Sequence, residues 1–161
     1  MDADVTYRPI GVVHSPFASL EGMPIQPAAP RSAPGTVEVF AEFAEGLTDI
    51  EGFSHLILVV HFHQAEGVNL SPTPFLDRKP HGIFATRAPV RPNPIGISVV
   101  HLAGVDGNLL HIANIDLVDR TPVLDIKPYV PQFDTPGDCR IGWMEASIDT
   151  FDAMKSDDRF A

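Results

Sequence analysis

Proline occupies sixteen of the 161 positions, about twice ordinary usage, and this sets the first limit on the fold. Each proline fixes φ at about −65° and removes a backbone donor, so a helix interior accommodates few of them. A helical bundle is excluded, and short strands joined by stiff loops are expected. The apolar pattern agrees, because it repeats mostly every two residues. In Thr36-Val37-Glu38-Val39-Phe40-Ala41-Glu42-Phe43, the odd positions are apolar while Glu38 and Glu42 lie opposite, which predicts a half-buried strand over 36–43.

Other segments extend the pattern. Residues 10–14 read as a first strand, stopped by Ser15-Pro16. The run 55–63 is apolar on both faces and predicts a central strand. Residues 82–87 and 95–102 flank a corner studded with Pro89, Pro92 and Pro94. Asp106-Gly107 predicts a hairpin turn into a strand over 109–119. A clear strand follows over 123–130 and a further one over 141–148, with a short terminal helix over 150–161. Residues 45–53 predict one or two helical turns between glycines, and 64–81 a long excursion of the kind that forms lids or partner contacts. Seven or more short strands imply an all-β domain, a small closed or partly open barrel or sandwich with short helices and long proline-rich loops.

One domain of this length, residues 1–161 with no additional C-terminal domain, buries about two-thirds of its unfolded surface and needs no covalent staple. Cys139 is the single cysteine, which rules out an intramolecular disulfide and a four-cysteine zinc site. The start, Met1-Asp2-Ala3-Asp4, has no secretion-signal pattern, and no run is long and apolar enough for a membrane span. A cytoplasmic protein without membrane association is expected. The net charge is −10, yet it is uneven: residues 1–66 carry −7, residues 67–101 carry +3 and residues 102–161 carry −6. Broad nonspecific nucleic-acid binding is disfavoured by this balance. A small anion or one local RNA contact still fits the basic island.

Several chemistries find no motif. Neither a G-x-G-x-x-G nor a Walker phosphate loop is present, and there is no G-x-S-x-G elbow. His61 and His63 would share a strand face with His55, an arrangement suited to a metal, to ligand hydrogen bonds or to the core. Nothing nearby supplies a further metal ligand, and no metal is expected. Arg87 and Arg91 emerge from the proline corner with little freedom left to lose, which suits a carboxylate or phosphate; pairing with the chain's own acids is the alternative. Asp125, Lys127 and Tyr129 share one strand face opposite Leu124 and Ile126, and Asn114 shares a face with Asp116. Such polar faces line a pocket or simply meet solvent.

Four segments together go further. Ile10-Gly11-Val12-Val13-His14-Ser15-Pro16-Phe17, Gly52-Phe53-Ser54-His55-Leu56, Phe84-Ala85-Thr86-Arg87 through Pro92-Asn93-Pro94-Ile95-Gly96, and Asp116-Leu117-Val118-Asp119 through Thr121-Pro122-Val123-Leu124-Asp125-Ile126-Lys127-Pro128-Tyr129 closely resemble the TsaA-like (YaeB) family, in order, over about residues 8–135. The resemblance implies a small β-barrel that binds S-adenosyl-L-methionine outside the Rossmann plan, usually as a homodimer. Characterised members methylate N6 of threonylcarbamoyladenosine beside the tRNA anticodon. Carried over position by position, the cofactor contacts fall on Pro27, Ala28 and Ala29, on His63 and Gln64, on Arg87, on Ile97 and on Asn114-Ile115-Asp116.

Methyl transfer to a urea-like N6 would profit from a proton acceptor, for which Asp125 or Tyr129 is expected, with Lys127 orienting it. The chain departs from the family at Pro24-Ile25-Gln26-Pro27-Ala28, where an arginine and a glycine are replaced, and at Arg120, where the family often has glycine. The bacterial tRNA enzyme also has a C-terminal domain beyond the matched region. Together with the net charge, these departures weaken the case for tRNA as the acceptor, which stays the first reading, and two alternatives stand beside it. They are a methyltransferase for a small molecule and a cofactor-binding module without turnover.

Overall fold

The computed structural model describes residues 4–19 and 33–146. Six strands form its wall: β1 (Gly11–His14), β2 (Gly35–Val39), β3 (His55–His61), β4 (Ile95–Asp106), β5 (Leu109–Ala113) and β6 (Pro122–Pro128). They close into a barrel in the order β1-β2-β5-β4-β3-β6, and every pairing is antiparallel. The expected all-β barrel is therefore present in its closed form.

Alternation explains the wall. Along β3, Leu56, Leu58 and Val60 are buried, while Ile57 and Val59 are only partly covered. The strand has β4 on one side and β6 on the other, so its central place is as expected, although its two faces are not equally buried. Val13, Val37, Val39, Val100, Leu110, Ile112 and Val123 point inward from the remaining strands and fill the barrel. A Cβ on Gly11 would stand 2.4 Å from the Glu38 carbonyl oxygen, so glycine is what lets β1 lie close to β2. Gly107 takes φ 60° in the turn between β4 and β5, where Asp106 pairs with Leu109.

Several boundaries differ from the sequence reading. β2 stops at Val39, and Ala41–Leu47 is a 3-10 helix, followed by a second over Ile50–Gly52. Apolar residues at 41, 43 and 47 fit either period, and the chain turns where Phe43 and Leu47 pack under the barrel end. The segment 82–87 before the corner contains the 3-10 turn Ile83–Ala85, and β5 ends at Ala113 rather than running to 119. Asn114, with φ 65°, takes the chain out of the sheet. Gly142–Ala146 is also a 3-10 helix where a strand was expected. Helix α1 (Pro131–Asp134) follows β6. The terminal helix expected over 150–161 lies outside the described residues.

Candidate functional site

Antiparallel closure gathers the ends of β1, β3 and β5 with the starts of β2, β4 and β6 at one rim of the barrel. Two loops shape this rim. The first, residues 114–121, is fastened to the segment after β1. The Ser15 hydroxyl donates to the Leu117 carbonyl (2.7 Å), and the Ser15 N–H donates to Asp119 Oδ1 (3.0 Å). The Asp119 N–H donates to the Phe17 carbonyl (2.7 Å) and the Arg120 N–H to the Val13 carbonyl (2.8 Å). Ser15-Pro16-Phe17 is thus the brace for the loop that carries Asp116. Arg120 sits in the left-handed region with φ 64°, a conformation that glycine adopts without steric cost.

The second loop is the proline corner. Ile83, Ala88 and Val90 are buried in a small core of their own, with Phe75 against it. The Thr86 hydroxyl donates to the Ile83 carbonyl (2.9 Å), and the Ala88 N–H donates to that hydroxyl (3.3 Å). Gly96 follows the corner, and a Cβ there would meet the Phe62 ring at 2.2 Å. The Phe62 ring therefore occupies the space that a side chain at the start of β4 would need, and the Phe62 N–H donates to the Pro94 carbonyl (2.8 Å). The corner is clamped to the barrel through glycine and phenylalanine.

Between these loops lies the polar group of interest. Asp116 accepts a hydrogen bond of 2.5 Å from the Ser98 hydroxyl, and Ser98 is itself buried on the inward side of β4. Burial pushes the Asp116 carboxyl up to about 6, opposed by the Ser98 hydrogen bond and the nearby positive charge of Arg87. Ser98 carries no polar pattern of its own, and its partner is eighteen residues away. Only the buried hydroxyl in an otherwise apolar strand could have marked it.

The remaining candidates fall into place around this centre. Arg87 is exposed at the corner, close enough to Asp116 to hold its carboxyl down electrostatically. His63 lies just beyond β3, and its pKa falls below the usual 6.5 through burial and the charges of His61 and Arg120, against the pull of Asp119. Gln64 reaches the Ala18 carbonyl at 3.5 Å. Ile97 projects outward from β4 and is 64% exposed. Ile115 is 1% exposed, so its side chain belongs to the core and only its backbone is left for a ligand. Pro27, Ala28 and Ala29 lie outside the described residues. Among the described residues, no group of three His, Cys, Asp or Glu side chains is placed to hold a metal ion.

Asp125 and Lys127 occupy a different position. They face outward from β6 beside Val59 and Ile57 and pair with each other at 2.6 Å, both well exposed. The Tyr129 hydroxyl pairs with the Thr135 hydroxyl (2.8 Å), and its ring lies edge-on to His55 toward the opposite rim. Asp125 also borders a cleft of about 550 Å³ at that rim, lined by Ile10, Val39, Phe43, Leu47 and Ile50. The three residues share a face as their spacing predicts, but their contacts are with one another and with that end of the barrel.

Comparison with known proteins identifies the family. The family model for the tRNA-methyltransferase O N-terminal domain matches residues 12–135. A Pyrococcus abyssi protein described as a probable S-adenosyl-L-methionine-binding protein is 53% identical over 156 residues, which are 97% of this chain and 85% of that one. The Escherichia coli tRNA (adenine(37)-N6)-methyltransferase is 41% identical over 135 residues, 78% of this chain and 57% of that one. The crystal structure of TrmO from Pseudomonas aeruginosa superposes with a TM-score of 0.74 at 41% identity, covering 88% of this chain and 63% of that one. The chain thus spans about three-fifths of these two proteins. With the barrel, both rim loops and the motifs they carry inside the matched region, the chain belongs to the tRNA-methyltransferase O N-terminal domain family.

Proposed function

We propose that this chain binds S-adenosyl-L-methionine at the rim formed by the proline corner and the 114–121 loop, and transfers its methyl group to N6 of a modified adenosine at tRNA position 37. The observation that carries the reading is the convergence of Arg87, Asp116 and His63 on one rim beside the outward-facing Ile97, in a chain of this family. The donor set fits the cofactor. An exposed guanidinium suits a carboxylate, the apolar Ile97 suits one face of an adenine, and carboxylate or carbonyl oxygens suit a sulfonium. Bound there, the cofactor would supply an activated methyl group.

The chain's own part is positioning and exclusion of water. In-line displacement at a sulfonium disperses charge, so a rigid rim that fixes the donor supplies most of what the step requires. The acceptor nitrogen must lose a proton. Asp125 or Tyr129, with Lys127 orienting, is the proposed acceptor of that proton; because they lie on the outer β6 face and toward the opposite rim of their own chain, they would serve the cofactor held by the second copy of a homodimer. In the same reading residues 1–161 act as one domain, in the cytoplasm, as a homodimer with 64–81 against the second copy. Exposed Val68 and Leu70 on that excursion support a covered surface there. No described helix is long and apolar enough to cross a membrane.

Titration calorimetry with S-adenosyl-L-methionine and its demethylated product tests the binding step, and micromolar affinity is expected. Transfer of labelled methyl to bulk tRNA from cells lacking the mark tests the acceptor. Binding without label in RNA would favour a small-molecule acceptor, the reading supported by the net charge of −10, or a binding module without turnover.

A further inference from the structure

Arg91 was expected, like Arg87, to meet an anion or one of the chain's own acids. Its geometry is different. Its Nη1 donates to the Thr86 carbonyl at 2.9 Å and to the Ile83 and Ala88 carbonyls at 3.3 Å each. These three carbonyls bracket Arg87 on both sides. Backbone carbonyls at a tight corner have no sheet partners, so a guanidinium turned inward satisfies them while its charge stays partly covered. The Thr86 hydroxyl closes the same turn from within, and Trp143 Nε1 donates to the Ala85 carbonyl (2.8 Å) from outside. The segment 83–88 is therefore held at four successive points, and Arg87 is the charged side chain it presents, beside the exposed Phe84.

We infer that Arg91 is a positioning residue, whose bonds to the carbonyls of Ile83, Thr86 and Ala88 fix the backbone from which Arg87 meets the carboxylate of the cofactor. This rests on the proposed binding of S-adenosyl-L-methionine through Arg87. A freely moving corner would still carry the guanidinium but would lose conformational entropy on binding; a clamped corner has lost it already.

The test compares two ligands and two backgrounds. S-adenosylhomocysteine carries the amino-acid carboxylate and 5′-methylthioadenosine does not. Arg91→Ala is expected to weaken S-adenosylhomocysteine binding 5- to 30-fold and to change 5′-methylthioadenosine binding less than twofold. In an Arg87→Ala background the same substitution is expected to add less than twofold for either ligand. Arg91→Lys, which keeps the charge and three donors, is expected to recover part of the loss and serves as the variant if Arg91→Ala does not fold. Equal weakening of both ligands, or an undiminished effect without Arg87, overturns the positioning role. If Arg87→Ala itself leaves S-adenosylhomocysteine affinity unchanged in the wild-type background, the binding reading beneath it fails instead.

Discussion

The two polar groups of this barrel wall were equally visible as residue types, and the structure treats them in opposite ways. At the proline-corner rim, Asp116 is sunk between loops, bonded to a buried serine and influenced by an arginine from a third segment. On the outer face of β6, Asp125 and Lys127 neutralise each other in the open. The difference lies in what surrounds each acid. Partners from β4 and from the corner converge on Asp116, whereas Asp125 and Lys127 belong to one strand and need no convergence at all. A perturbed titration follows convergence, because it requires both burial and neighbours.

The largest effect expected from this contrast is on stability against pH. In the unfolded chain the Asp116 carboxyl takes the ordinary aspartate value of about 3.9, and in the folded chain burial pushes it up to about 6. Between those values the folded state holds the extra proton, so the contribution to stability falls as pH rises from about 4 to about 6, by roughly 3 kcal/mol in all. Asp116→Asn is expected to flatten this slope in denaturant titrations from pH 4 to 7.5, and to raise stability at the upper end. An unchanged slope would mean that burial beside Ser98 does not set the Asp116 titration.

Cofactor affinity is expected to separate the two regions next. Arg87→Ala should weaken S-adenosyl-L-methionine binding by about 1.5–3 kcal/mol, the cost of losing a hydrogen bond to a charged group. Asp125→Asn should leave that affinity within twofold while lowering the rate of methyl transfer. Equal isotherms for Arg87→Ala and wild type would remove the corner from the binding site. A normal rate for Asp125→Asn would leave the β6 face as solvated surface.

The smallest effect is expected from Lys127→Ala. An exposed pair contributes at most about 1 kcal/mol, reduced further by salt. Thermal unfolding should shift by no more than a few degrees, and less still at 0.5 M salt. A larger shift would mean that the β6 face is as tightly organised as the rim.

Most of the wall was legible in the sequence because alternation and burial come from the same cause. Val37 and Val39 or Leu56, Leu58 and Val60 need only one covered face, and period two provides it. Reading past Val39 into a strand failed because Ala41, Phe43 and Leu47 satisfy two periods, and packing at the barrel end decided between them. Arg87 could be singled out because prolines stiffen what carries it. The task of Arg91 could not, since carbonyl acceptors exist at every residue and leave no mark in the side-chain pattern. Ser98 was hidden for a related reason: its importance comes entirely from a residue on another loop. Pattern along the chain reports walls well and meetings between loops poorly.

Closure of the six strands has one more effect. An open sheet offers its outermost strand as a template on which a foreign peptide can extend the ladder, and a ring of paired strands withdraws that offer around its whole circumference. Whatever encounters this wall must recognise side chains and turns, so new specificity can be acquired at the mouth of the ring while the hydrogen-bonded frame stays the same.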